Sequence, residues 1–166
     1  MLHLSFKKYI FTNMANTYTQ LFIHLVFAPK HRAALIDKTW KDRLHQYIIG
    51  TLNNLGHKTL AINSMPDHIH IFVGLNPDQS ISDMVQAIKA NSSKWINEEK
   101  LARRKFDWQK GYGAFSNSKS QVDRVVKYIL NQEKHHAKKT FLKEYEAFLE
   151  KYGVSYDPKY VFHEPL

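Results

Sequence analysis

Residues 58–75 read KTLAINSMPDHIHIFVGL, and this stretch decides the fold. Lys58 to Met65 and His68 to Leu75 each read as a strand, and Pro66-Asp67 between them is turn chemistry, with proline presetting φ for the reversal. The two strands therefore form a hairpin. Side chains alternate along a strand, so His68, His70 and Phe72 share one face while Ile69, Ile71 and Val73 share the other. The isoleucine–valine face is made for burial against helices. The opposite face carries two imidazoles at i and i+2 on a rigid element, a preformed clamp.

The elements on either side of the hairpin follow from the same kind of pattern. Thr17 to Phe27 alternates, with Leu21, Ile23, Leu25 and Phe27 against Gln20, Phe22, His24 and Val26, which predicts a strand. Pro29-Lys30-His31-Arg32 ends it in a basic loop. Thr39 to Leu55 has Trp40, Leu44, Tyr47 and Ile48 at helical spacing and Gly56 as a stop. Ser80 with Asp83 three residues on is a capping signal for a helix to about Glu99. Its apolar face is Ile81, Met84, Val85, Ile88 and Trp95. Lys100 to Lys110 is basic, with Phe106 and Trp108 interleaved, and Gly111 to Ser116 is a short fourth strand. Ser120 and Asp123 open a helix to about Ala137. Thr140 to Tyr152 is a last helix with Phe141, Tyr145, Phe148, Leu149 and Tyr152 inward and Gly153 as its stop. The order is β-α-β-β-α-β followed by helices, an α+β chain with a ferredoxin-like antiparallel sheet in which the first and third strands are neighbours. Residues 14–166 form one domain. Residues 1–13, ahead of a more natural start at Met14, read as a non-functional N-terminal extension.

The 166 residues are enough for one core, and 43% hydrophobic content argues against disorder. There is no cysteine, so any metal must be held by His, Asp, Glu, Asn or Gln. No segment approaches the roughly 20 apolar residues of a membrane span. The net charge of +9, with histidines neutral, favours a polyanionic partner through counterion release, nucleic acid before a membrane surface. No glycine-rich phosphate loop is present, so no nucleotide cofactor is expected.

The helix after Ser120 supplies the other half of a reaction. Val122, Val125, Val126, Ile129 and Leu130 form its apolar face, and Tyr128, Gln132 and His135 form one ridge beside it. Taken singly, Tyr128 is an ordinary amphipathic tyrosine and Gln132 an ordinary helix former. The open face of the sheet needs a cover, however, and this helix is the natural candidate. Its ridge would then face the clamp. His68, His70 and the amide oxygen of Gln132 would hold a divalent metal as a Lewis acid on a phosphate, and Tyr128 would supply the nucleophilic oxygen. A phosphotyrosyl ester conserves the energy of a phosphodiester, and a phenolate with a pKa of about 10 can leave again. Strand breaking and rejoining would need no ATP.

His68-Ile69-His70, preceded by Met65-Pro66-Asp67, resembles the His-hydrophobe-His motif of the single-tyrosine HUH transposases, the small transposases of single-stranded insertion sequences. Residues 18–27 (YTQLFIHLVF), 108–116 (WQKGYGAFS) and 128–136 (YILNQEKHH) match the same family in the right order, so the resemblance spans about residues 15–162. It implies that Tyr128 forms a 5′-phosphotyrosine link to single-stranded DNA and leaves a free 3′-OH. It implies that His68, His70 and Gln132 bind Mg²⁺ or Mn²⁺; imidazole chemistry alone leans toward Mn²⁺. It further implies a homodimer, with active sites that can be shared between protomers, and recognition of subterminal hairpins. The cellular setting it implies is the cytoplasm of a bacterium or archaeon, at the nucleoid.

Candidate DNA contacts are Lys30, His31 and Arg32 after the first strand, and Arg103, Arg104, Lys105 and Lys110 before the fourth. Trp108 and Tyr112 could stack unpaired bases. His24 is expected on the clamp's face as a structural or supporting residue. Two other readings compete. One is a domesticated relative acting on genomic palindromes with the same catalytic residues. The other is a non-catalytic ferredoxin-like nucleic-acid-binding module, in which the histidines, Tyr128 and Gln132 would be dispensable. A replication initiator would need a helicase domain, for which the chain is too short.

Overall fold

The computed structural model describes residues 18–32, 35–137 and 140–161, with Arg32 described by its backbone alone. The expectation for residues 1–13 lies outside them. Four strands, β1 (Phe22–Phe27), β2 (Lys58–Met65), β3 (His68–Gly74) and β4 (Gly113–Asn117), form an antiparallel sheet in the order β2-β3-β1-β4. The hairpin and the pairing of first and third strands are as the sequence predicts. Helices α1 (Lys41–Asn54) and α2 (Ile81–Glu98) lie between the strands in sequence. Among the described residues three helices follow the sheet: α3 (Val122–Leu130), α4 (Gln132–His136) and α5 (Phe141–Lys151). Among the described residues no helix is long and apolar enough to cross a membrane.

Strand alternation divides the interior into two cores. Ile23, Leu25 and Phe27 of β1 and Ile69, Ile71 and Val73 of β3 pack with Leu44, Ile48 and Leu52 of α1 and Met84, Val85 and Ile88 of α2. On the opposite face Val26 and Phe115 meet Phe141, Tyr145 and Leu149 of α5. There too Ala61 and Phe72 meet Val122 and Ile129 of α3. The molecule therefore has three layers, and the face of the histidine pair is covered, as a sheet with two apolar faces requires.

Local chemistry sets the ends of the elements. Ser80 caps α2, its Oγ accepting from the Asp83 amide at 3.0 Å. After α1, Gly56 at φ +78° takes the left-handed position, and the His57 amide closes back on the Leu52 carbonyl. The entry to α3 differs from expectation. The cap is a box made by Ser118 and Gln121, followed by a turn of 3₁₀ helix at Lys119–Gln121, rather than Ser120 with Asp123. The expected single helix to Ala137 is also interrupted. Asn131, at ψ 20°, separates α3 from α4.

Candidate active site

The nucleophile and ligand residues expected from the sequence come to one place, between β3 and the α3–α5 layer. His68 and His70 are fully buried, and each has its Nδ1 occupied. His68 Nδ1 lies 2.7 Å from the Asp67 carboxylate, and His70 Nδ1 lies 2.9 Å from His24 Nε2. These contacts fix the ring orientations and leave both Nε2 atoms facing inward, the arrangement that supports metal-binding histidines. The ring of His24 stacks on that of His70 at 5.1 Å between centroids. Burial, then Lys151, holds the His24 pKa down at about 3. Burial, and after it His24, His68, His136 and His135, keeps His70 well below its ordinary value. Both are neutral near pH 7, the state that binds metals.

Tyr128 stands against His70 with its ring perpendicular and the centroids 5.9 Å apart. Its hydroxyl is buried without a hydrogen-bond partner. Gln132 is fully buried. Its Nε2 donates to the Tyr128 carbonyl and to Glu144 Oε1, both at 3.4 Å, and its Oε1 has no hydrogen-bond partner. Tyr128 and Gln132 thus remain neighbours although the helix between them is broken. The break leaves carbonyls at the end of α3 to be satisfied otherwise. Side-chain amides do so for two of them: Gln132 bonds the carbonyl of Tyr128 and Asn63 that of Ile129 at 2.9 Å, while Asn131 adds a side-chain bond at 2.8 Å to the Lys127 carbonyl that its own backbone amide already meets. Asn63 belongs to β2 and lies opposite His70 in register, so its bond ties the tyrosine helix to the clamp's own sheet.

Two further residues enter the site. Glu144, on α5, is 3% exposed. Its carboxylate lies 3.9 Å from His68 Nε2, 3.8 Å from His70 Nε2 and 2.8 Å from His136 Nε2. His135 Nε2 approaches it at 3.8 Å. Burial, then the charge of Asp67, raises the Glu144 pKa to about 8. Donor atoms of His68, His70, His136 and Glu144 all lie within 4.8 Å of one another, a set able to hold a metal ion. Glu144 has a signal in the sequence. It falls three residues after Phe141 and one before Tyr145, within the apolar stripe of α5, although an acidic residue in the first turn of a helix is ordinary.

The two predicted basic loops meet at one end of the sheet. The Lys30 amide bonds the Asp107 carbonyl and the Gln109 amide that of Ala28, so the segments pair beyond β1. A cleft of about 380 Å³ lies there, lined by Lys30, His31, Lys110, Tyr112, Tyr145 and Tyr160 among others. His31 holds a left-handed φ of 58° at its rim. Lys89 crosses from α2 to bond the carbonyls of Gln109, Lys110 and Gly111, fixing the loop. Gly113, where this loop enters β4, is required, because a Cβ there would lie 2.9 Å from both Phe115 and Tyr145. Trp108 differs from expectation. It is 4% exposed, its ring packs edge-on against Phe27 and Phe106, and its Nε1 donates to Ser92, so it offers no open face for a base. Phe106 is buried likewise, while Arg103, Arg104 and Lys105 are exposed on the loop, apart from the cleft.

Comparison with known proteins adds an independent line. The family model described as "Transposase IS200 like" matches residues 17–132. That range holds His68, His70, Tyr128 and Gln132 and ends before His136 and Glu144. The ISDra2 transposase TnpA of Deinococcus radiodurans is 25% identical over 118 residues, 68% of this chain and 84% of that protein. A crystal structure from Deinococcus radiodurans R1, assigned as a transposase, matches with a TM-score of 0.59 and 23% identity over 72% of this chain and 96% of that one. A REP-associated tyrosine transposase bound to a REP hairpin matches with a TM-score of 0.57 and 16% identity, over 75% of this chain and 74% of that one. At these identities the two structures speak for a shared fold.

Proposed function

This chain belongs to the family of IS200-like transposases, and on that premise we propose that it cleaves and rejoins single-stranded DNA, with Tyr128 as nucleophile. The observation that carries the reading is the unpartnered, buried Tyr128 hydroxyl beside His70, in one site with His68 and Gln132. In the forward step the Tyr128 oxygen bonds to phosphorus and the bond from phosphorus to the 3′-oxygen breaks. The phenolic proton passes to solvent and the 3′-oxygen takes one up. The products are a 5′-phosphotyrosine and a free 3′-OH, and attack by a 3′-OH reverses the step.

The donor set fits a divalent cation, Mg²⁺ or Mn²⁺. His68 Nε2, His70 Nε2 and Gln132 Oε1 are buried atoms with no hydrogen-bond partner, a costly arrangement that a cation would relieve. Bound to these three residues it would supply Lewis-acid polarisation of the scissile phosphate. His24 and Asp67 would keep the imidazoles oriented toward it.

The substrate is read as single-stranded DNA with hairpins, held by a homodimer in the cytoplasm at the nucleoid. The net charge of +9 and the cleft between the basic loops support DNA binding. Lys30, His31 and Lys110 would meet phosphates there, with Tyr112 as the stacking face. Arg103, Arg104 and Lys105, and Arg32 by its place in the sequence, are proposed as further phosphate contacts. The dimer and hairpin readings rest on the family resemblance.

The test uses single-stranded DNA carrying the hairpins that flank this gene, with Mg²⁺ or Mn²⁺. A covalent protein–DNA adduct is expected, and Tyr128→Phe should abolish it while hairpin binding survives. An adduct that persists in Tyr128→Phe sinks the nucleophile assignment. Binding without any adduct in the wild-type chain favours the non-catalytic module.

A further inference from the structure

Glu144 is the feature of the site that the family motif does not explain. It lies on α5, beyond the matched residues 17–132, yet both clamp histidines aim Nε2 at its carboxylate, at 3.9 and 3.8 Å. His136 reaches the same group at 2.8 Å, and Gln132 Nε2 donates to it at 3.4 Å. A carboxyl group 3% exposed is costly to ionise unless positive charge stands beside it. Its neighbours are imidazoles, an amide and, farther off, the like-charged Asp67, which disfavours its ionised form. A cation among them would set positive charge within reach of all these donors at once. Ligand atoms around a cation at 2.0–2.2 Å stand roughly 3–3.5 Å apart, so only small movements would bring these donors into place.

We propose that Glu144 is itself a ligand of the metal held by His68 and His70, so that the cation ties α5 to β3. The proposal rests on the reading of the histidine pair as metal ligands. The resulting donor set, imidazoles with one carboxylate and the Gln132 amide at its side, suits first-row cations such as Mn²⁺ better than the hard, water-retaining Mg²⁺. It also gives α5 a chemical duty beyond covering the sheet. Metal binding would add a tie between β3 and α5, a helix already packed on the sheet through Phe141, Tyr145 and Leu149.

The experiment measures binding by the full-length chain without DNA. Mn²⁺ and Mg²⁺ are titrated by calorimetry, and hydrogen exchange is followed over residues 141–151 with and without Mn²⁺. The wild type should bind Mn²⁺ more tightly than Mg²⁺ and gain protection in α5. Glu144→Gln should bind Mn²⁺ at least about tenfold more weakly and lose that gain, and Glu144→Asp should retain most of both. Equal or tighter Mn²⁺ binding by Glu144→Gln overturns the proposal, since the carboxylate would then be a bystander or an occupant to be displaced. Metal-independent exchange of α5 in the wild type overturns it without recourse to a variant. His68→Ala separates the two readings. Wild-type Mn²⁺ affinity in His68→Ala refutes the clamp itself, whereas weakened binding there with full affinity in Glu144→Gln refutes only the role of Glu144.

Discussion

At the scale of single residues, the histidines divide between chemistry and architecture. His45 belongs to architecture. It is buried on α1, with Nε2 2.9 Å from Ser64 Oγ on β2. Burial, then Lys41, brings its pKa down to about 4, from 6.5. Between these values the unfolded chain takes up a proton that the folded chain refuses. Stability is therefore greatest above pH 6.5 and falls as the pH drops toward 4, by up to about 1.4 kcal/mol per pH unit for this one group. Urea midpoints at pH 7 and pH 4.5 check this: His45→Gln should show a smaller drop between the two than the wild type. His68 and His70 were legible because alternation forces them onto one face. Glu144 left only a weak signal, because an acidic residue in a helix's first turn is ordinary and helical spacing says which face a residue lies on but not what waits there.

At the scale of elements, the decisive one is α3 with its broken end. The apolar positions keep helical phase from Val122 to Ile129, and Gln132 continues it, so the sequence reads as one helix to Ala137. The interruption at Asn131 depends on partners that no local pattern contains, above all Asn63 from β2. That bond holds the carbonyl next to Tyr128 at a set height over the sheet. Asn63→Ala should cost about 1–3 kcal/mol in stability by leaving a buried carbonyl unpaired. In single-turnover assays it should slow cleavage about tenfold or more with hairpin affinity unchanged, as loss of positioning rather than of binding. Parallel losses of affinity and rate would count against that role. The β2–β3 hairpin stands at the other extreme. Its bounds were readable almost to the residue, because two strands and a proline turn are local and mutually reinforcing.

At the scale of the whole molecule, charge and layering act together. Basic residues from the β1 end and the α2–β4 loop are far apart in sequence, and pairing of the two segments brings Lys30, His31 and Lys110 to one cleft. The charge was visible in composition, whereas the cleft required the fold. DNA affinity should fall linearly on a log–log plot against salt. Lys30→Ala with Lys110→Ala should lower the slope by roughly 0.7 for each phosphate left unneutralised on single-stranded DNA. A slope unchanged in the double variant would place the DNA elsewhere. The three-layer arrangement has a consequence in time. A chain leaves the ribosome N-terminus first, and the β1–β4 sheet with α1 and α2 precedes every residue of α3, α4 and α5. The imidazoles of His24, His68 and His70 are thus synthesised before the tyrosine, the glutamine and the buried carboxylate. On the proposed reading of the site, a nascent chain would carry half of a reactive centre and stay chemically silent until its last helices close on the sheet.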